Sequence, residues 1–245
     1  MDSGYYAAST ALMTQSQALE LVANNLANSS TSGYRAQHGV FQSLLSISPG
    51  APVSALNQAA NQYGILQGSR VDLSQGVLER TGNELDLAVE GPGFFVVQTP
   101  AGRRLTRNGN FHPANGQLVT SDGSPVMGEN GIVQIVGGPV SIAPDGTVSV
   151  NGALAGKIKL VELMPRTQLE SAGDANYIAP QGSEIPDTHS NIRQGMIEGS
   201  NVNTVSAAVE LVSIQRQYDL MRRTLSIFDS QFNQTAAQDL PRINS

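Results

Sequence analysis

The stretch NNLANSSTSGYRAQ, Asn24–Gln37, closes a long segment of helical pattern in a run of Asn, Ser, Thr and Gly. Upstream of it, Tyr5, Ala8, Leu12, Gln15, Leu19, Val22 and Leu26 recur at spacings of 3 and 4, a heptad stripe with one polar interruption at Gln15. Asp2 and Glu20 are the charged residues ahead of Arg35. An ordinary surface helix carries charge on its outer face. This one carries Ser, Thr, Gln, Asn and Ala instead, which suits a helix approached closely on several sides by other helices. The amides of Asn24, Asn25 and Asn28 can satisfy loose carbonyls at its end, and Gly33 supplies a turn that side-chain-bearing residues resist.

The other end of the chain repeats the device. Ala207, Leu211, Ile214, Tyr218, Met221, Leu225, Phe228 and Phe232 follow the same rule, preceded by EGSNVN, Glu198–Asn203, with Ser200 or Asn201 as the expected N-cap. Two such stripes have one simple solution, which is to pair with each other antiparallel. The alternative is that each packs separately on the middle of the chain.

That middle is different in kind. Eleven of the twelve prolines lie between Pro49 and Pro186, and 17 of the 25 glycines between Gly64 and Gly156, so turns and strands are expected there. Asn115-Gly116, Asp122-Gly123 and Asp145-Gly146 are hairpin-type dipeptides, and LDLAVEGPGFFVV, Leu85–Val97, holds two apolar runs about Gly91-Pro92-Gly93. The fold class read from this is α+β: terminal helices paired as an antiparallel coiled coil around an inserted, mainly antiparallel β domain. The expected division is 1–34 plus 200–240 for the helices, 35–70 for an extended arm, 71–190 for the β domain and 191–199 for a return linker. Pro49 to Gln62 reads as the loop of that arm.

Chemistry is hard to find. The chain has no Cys, and His38, His112 and His189 lack metal-ligand spacing, so no metal or cofactor is expected. Nucleophile-elbow and phosphate-loop motifs are absent, and a proline between the two glycines of EGPGFF removes an amide that a phosphate cradle needs. Glu79, Glu84, Asp86 and Glu90 could hold a glycosidase pair, but read better as a solvated strand face. Arg103, Arg104 and Arg107 likewise read as a solvated face. A net charge of −6 argues against nucleic acid, and no apolar run approaches the ~20 residues of a membrane span. No secretory signal is expected, because no basic residue precedes Arg35 and no compact apolar core leads to a cleavage site.

Five quoted stretches, in order, resemble one family. ANNLANSSTSGYRAQ is similar to the N-terminal signature of the rod, hook and cap-side axial proteins of the bacterial flagellum. SNVNTVSAAVELVSIQRQYDLM, Ser200–Met221, is similar to their C-terminal counterpart. LDLAVEGPGFFVV, LTRNGNFHPANGQLVTSDGSPVMG and IAPDGTVS resemble the internal β domain of the longer members. Length and the compact middle favour the F-type rod branch, with the G-type next. The resemblance implies a non-enzymatic subunit whose helices form the inner coiled-coil layer of a helical tube. Its assembly residues would be Leu12, Leu19, Val22, Leu26, Leu211, Ile214, Tyr218, Met221, Leu225 and Phe228. The signature positions are Asn24, Asn25, Leu26, Ala27, Asn28, Gly33, Tyr34, Ser200, Asn201 and Val202. Implied partners are other rod subunits, further copies of itself and the flagellar type III export apparatus, with no nucleic acid and no membrane insertion. The competing class is a soluble ligand-binding or carbohydrate-active β domain, which would be folded at both ends as a monomer; a secreted adhesin would need a signal or anchor.

Overall fold

The computed structural model describes residues 2–42 and 65–239. They fall into two compact units. One holds both helices with residues 39–42 and 65–69; the other, residues 27–38 and 70–203, is a β body. The fold is α+β with antiparallel strand pairing throughout the body.

In the helical unit, the N-terminal helix runs Asp2–Ala27 and the C-terminal helix Thr204–Asp239. Among the N-terminal side chains that are described, Ala11, Thr14, Val22 and Asn25 are buried, and Leu12, Leu19 and Leu26 are half-buried. Val22 lies on the expected stripe, while Ala11, Thr14 and Asn25 sit one residue before Leu12, Gln15 and Leu26 and are more enclosed than they are. The outward line is Met13, Gln17, Glu20, Asn24 and Ala27. On the C-terminal helix Ala207 is buried and Leu211, Ile214, Tyr218, Met221 and Leu225 are half-buried, while most of their neighbours are exposed. The side chain of Phe228 lies outside the described residues, as does Pro49 to Gln62. The arm expected over 35–70 begins and ends in strand: Gln37–Gln42 pairs with Ile65–Val71.

The body is built on FFVV. Strand Phe94–Thr99 sits inside a six-stranded antiparallel sheet, ordered Glu170–Gly173, Asn176–Ile178, Gly102–Thr106, Phe94–Thr99, Leu160–Leu163, Glu184–Pro186. Successive side chains on a strand point to opposite faces. Phe95 and Val97 therefore enter one core, with Leu87, Phe111, Leu118, Val148 and Ile158; Phe94 and Val96 enter a second, with Val71, Leu105, Val161 and Tyr177. The run is continuously apolar because both faces are covered. Phe95 meets Phe111 edge-on at 5.1 Å, and Phe94 meets Tyr177 edge-on at 6.3 Å.

The turn dipeptides close where expected. Asn115 (φ 52°) and Gly116 (φ 75°) link His112–Ala114 to Gln117–Val119, the paired positive angles of a two-residue hairpin. Asn151-Gly152 does the same between Thr147–Val150 and Ala153–Lys157, a turn the sequence reading passed over.

Residues 191–199 correct the sequence reading. In place of a linker, Asn191–Gln194 pairs with Leu87–Glu90 and Met196–Glu198 with Leu78–Arg80. Ile192 is buried in the first core. The Gln194 amide donates to Glu84 O and Val140 O and accepts from Ile142 N. The returning chain is thus a component of the body.

Phe95→Ala is expected to destabilise the body by about 3–5 kcal/mol, since it opens a cavity where neighbours cannot collapse. Leu154→Ala, at a side chain 74% exposed, should stay within about 0.5 kcal/mol of the parent. Chemical denaturation of the purified chain checks both.

Candidate functional site

Part of each signature lies in the body, where Gly33 and Tyr34 of the first meet the segment of Glu198 and Asn201. After the N-terminal helix ends at Ala27, Asn28 Oδ1 accepts from Thr31 Oγ1 at 3.2 Å and Asn28 O accepts from Thr31 N at 3.1 Å, turning the chain. Gly33 follows at φ +70°, where a Cβ would stand 2.1 Å from Asn108 N; both the angle and the space demand glycine. Its amide donates to Glu198 O at 2.7 Å. Tyr34 and Arg35 are buried, and Arg35 N donates to the Tyr177 hydroxyl at 2.8 Å.

That placement brings three charged side chains together out of water. Arg35, Glu198 and Arg107 are each at most 1% exposed. Glu198 Oε1 lies 2.7 Å from Arg35 Nη2, and Oε2 lies 3.1 Å from Arg107 Nη1. Arg107 also donates to Val89 O and Gly91 O and stands 4.7 Å over the Phe94 ring. Glu198 Oε1 further accepts from Gly76 N at 2.7 Å. The Arg35 contact is an ion pair without hydrogen-bond alignment, and its Nε and Nη1 meet no acceptor among the described residues.

Two cations against one buried anion is a costly arrangement. Burial pulls the Arg107 guanidinium down from its ordinary range to about 10; Glu198 opposes that pull and Arg35 adds to it. Burial also pushes the Tyr177 hydroxyl upward. Asp187 attracts Arg107 as well. Its Oδ1 accepts from His189 N and Ser190 N, and its Oδ2 is buried without a hydrogen-bond partner among the described residues. A Cβ on residue 93 would sit 1.9 Å from that oxygen, so the second glycine of EGPGFF makes room for a carboxylate of the body itself.

Asn201 ties the same region. Its Oδ1 accepts from Ala36 N at 2.7 Å, and its Nδ2 donates to Asp72 O, Ser74 O and Ser74 Oγ. It is therefore not the N-cap; the helix begins later, at Thr204. Ser200 Oγ accepts from Val202 N, and Ser200, Asn201 and Val202 are all half-buried.

Two other expectations change. Arg107 belongs to the buried triad and not to a solvated face, although Arg103 is exposed and pairs with Glu184. Of the acidic cluster, Glu79 and Glu84 are exposed and Glu90 pairs with Arg193 at 2.7 Å, but Asp86 is buried and accepts from Asn83 Nδ2 at 3.2 Å. Glu162, Asp187 and His189 form a His–carboxylate group whose ligand atoms lie within 4.8 Å. His189 Nδ1 there is in contact with Glu162 Oε2 at 3.0 Å, an exposed pair. Sequence reading placed Glu198 in the approach to the C-terminal helix, did not name Tyr177, and gave neither Glu198 nor Arg35 a structural task.

Three segments of the chain match flagellar families. Residues 6–35 match the family described as flagella basal body rod protein, residues 88–150 the flagellar hook protein FlgE/F/G D1 domain, and residues 193–238 the flagellar basal body rod FlgEFG protein C-terminal family. The flagellar basal-body rod protein FlgF of Caulobacter vibrioides is 32% identical over all of both chains. FlgF of Salmonella typhimurium is 30% identical over 94% of this chain and 95% of its own. FlgG of Buchnera aphidicola is 32% identical over 90% and 93%. The chain belongs to the flagellar basal-body rod protein family, and among its branches it is most like the F type. Members of this family are structural components, not enzymes.

Glu198→Gln is expected to lower body stability by about 3–5 kcal/mol, because it leaves two guanidiniums buried without their anion. Glu90→Gln, which breaks an exposed pair, should cost about 0–1 kcal/mol. Thermal or urea unfolding of the two variants, side by side, checks the contrast.

Proposed function

We propose that this chain is an F-type axial subunit of the flagellar rod whose terminal helices pair as an antiparallel coiled coil in the inner layer of a helical tube, with the β body set outward. The observation that carries the reading is the C-terminal helix. Ala207, Leu211, Ile214, Tyr218, Met221 and Leu225 lie on one side and are enclosed, while five apolar residues elsewhere on the same helix stay exposed. A helix with this much uncovered apolar surface is suited to an assembly that covers it. The sparse charge of the N-terminal helix fits the same surroundings, since charge buried between subunits is costly.

In this reading the rod works by contact. Each subunit joins its own kind and the other rod proteins, and the stiffness of the tube carries torque from motor to hook and filament. The body contributes a rigid wall, held by the Arg35–Glu198–Arg107 triad. Subunits reach the growing tip through the flagellar type III export apparatus, a route supported by the family resemblance. No helix among the described residues is long and apolar enough to cross a membrane, and a net charge of −6 disfavours a broad phosphate-binding surface. No cofactor is assigned.

Leu19→Asp and Leu225→Asp each put a charge into an enclosed stripe, at several kcal/mol if unpaired (about 2–7 for an unbonded polar group, more for an ion). Each is expected to abolish incorporation into purified rods, and motility with it, while the body of the full-length variant keeps the parent's unfolding transition. Normal rods built from either variant would remove these stripes from the assembly.

A further inference from the structure

Residues 72–77 of the body form a surface loop whose backbone is pinned along its length. Asn201 Nδ2 holds Asp72 O and Ser74 O, Asp72 Oδ1 accepts from Ser74 N, Glu198 Oε1 accepts from Gly76 N, and Val77 O accepts from Gly199 N. Gln75 reaches across to Val89 O and Gly91 N. A loop so held has already lost the backbone freedom that ordering costs. What it presents is apolar: Leu73 is 41% exposed and Val77 70%. Glu79, two residues beyond Val77 as the chain enters strand Leu78–Arg80, is exposed too. On extended backbone that spacing sends both side chains to the same side.

The C-terminal helix carries a surface of complementary chemistry. Val205, Val209, Val212, Leu220 and Ile227 are 46–73% exposed. At 3.6 residues per turn they share one side of the helix, opposite the enclosed stripe; Arg216 and Arg223 fall in line with them, both exposed, with the exposed Asp219 at the edge of that side. The loop offers apolar knobs beside a carboxylate; the helix offers an apolar row beside guanidiniums.

We propose that the loop 72–77, with Glu79, docks on this face of the C-terminal helix of a second copy, Val77 against Val209 and Val212 and Glu79 against Arg216. Charge selects this occupant. A second loop would set Glu79 against its own kind, whereas the helix face supplies the cations. The two surfaces differ, so the contact is heterologous and, in the helical tube of the rod reading, repeats from copy to copy. The proposal rests on the rod reading, because it needs copies held side by side.

The chain lacks cysteine, which makes cross-linking clean. Val77→Cys and Val209→Cys are introduced singly and together into the full chain, expressed in cells lacking the native protein, and basal bodies are purified and oxidised. The double variant is expected to yield a ladder of disulfide-linked oligomers of this chain, from dimer upward; each single variant should not. Glu79→Arg and Arg216→Glu should each reduce incorporation at least tenfold, and the two together should restore it to within twofold of the parent. All four positions are exposed, so unfolding of the purified variants should match the parent. No cross-link together with normal incorporation of both charge reversals would overturn the docking, as would a cross-link to a different rod protein. If the parent chain is itself absent from purified rods, the rod reading falls and the docking with it. If the parent is present and Leu225→Asp excluded while cross-link and charge reversals are silent, the docking alone falls.

Discussion

The body depends on one buried carboxylate. Glu198 stands between Arg35, which arrives just after the N-terminal helix, and Arg107, from the end of a core strand, and none of the three reaches water. Desolvating such ions costs several kcal/mol each, and only close pairing repays it. The arrangement makes the fold conditional. Without the returning segment, Arg35 and Arg107 would be two cations in an apolar interior with no anion between them. The body is therefore completed by both chain ends, although its strands are nearly all contained between them.

This constraint gives the signature residues their tasks. Gly33 is glycine because the backbone of Asn108 occupies the space of a side chain. Asn201 is asparagine because one amide must accept from Ala36 and donate to Asp72 and Ser74 at once. Aspartate has no donor for that pattern and serine too little reach. Gly93 is glycine because Asp187, which adds negative charge near Arg107, lies against it. Residues that read as a polar helix terminus and a tight turn are the fittings around a buried ion cluster.

Local features were legible in the sequence and long-range ones were not. Asn115-Gly116 and Asp145-Gly146 announce their hairpins because the conformation is imposed by the dipeptide itself. The 3–4 spacing of Leu211, Ile214, Tyr218, Met221 and Leu225 announces an enclosed face because the helix repeat is local. Arg107 was misread as solvated: a charged residue beside Arg103 and Arg104 normally is, and the glutamate that changes the outcome lies 91 residues away. Asp86 failed for the same reason, through burial that alternation alone does not reveal. Asn201 looked like a cap because asparagine before a helix usually is one, but its partners lie up to 165 residues away. Residues 191–199 carry no local signal of their pairing: Asn191–Gln194 pairs with Leu87–Glu90 and Met196–Glu198 with Leu78–Arg80, both distant in sequence.

In the proposed rod, the body is a self-sufficient wall while the helices are completed by assembly. Hydrogen exchange, run on the dilute monomer and on assembled rods, tests it most directly. The account predicts strong protection of strands such as Phe94–Thr99 and Leu87–Glu90 in both states. It predicts weak protection of Asp2–Ala27 and Thr204–Asp239 in the monomer that rises sharply in the rod, since helices with few partners are marginal in water. Helices protected in the monomer as strongly as the body, with no further gain on assembly, would contradict it.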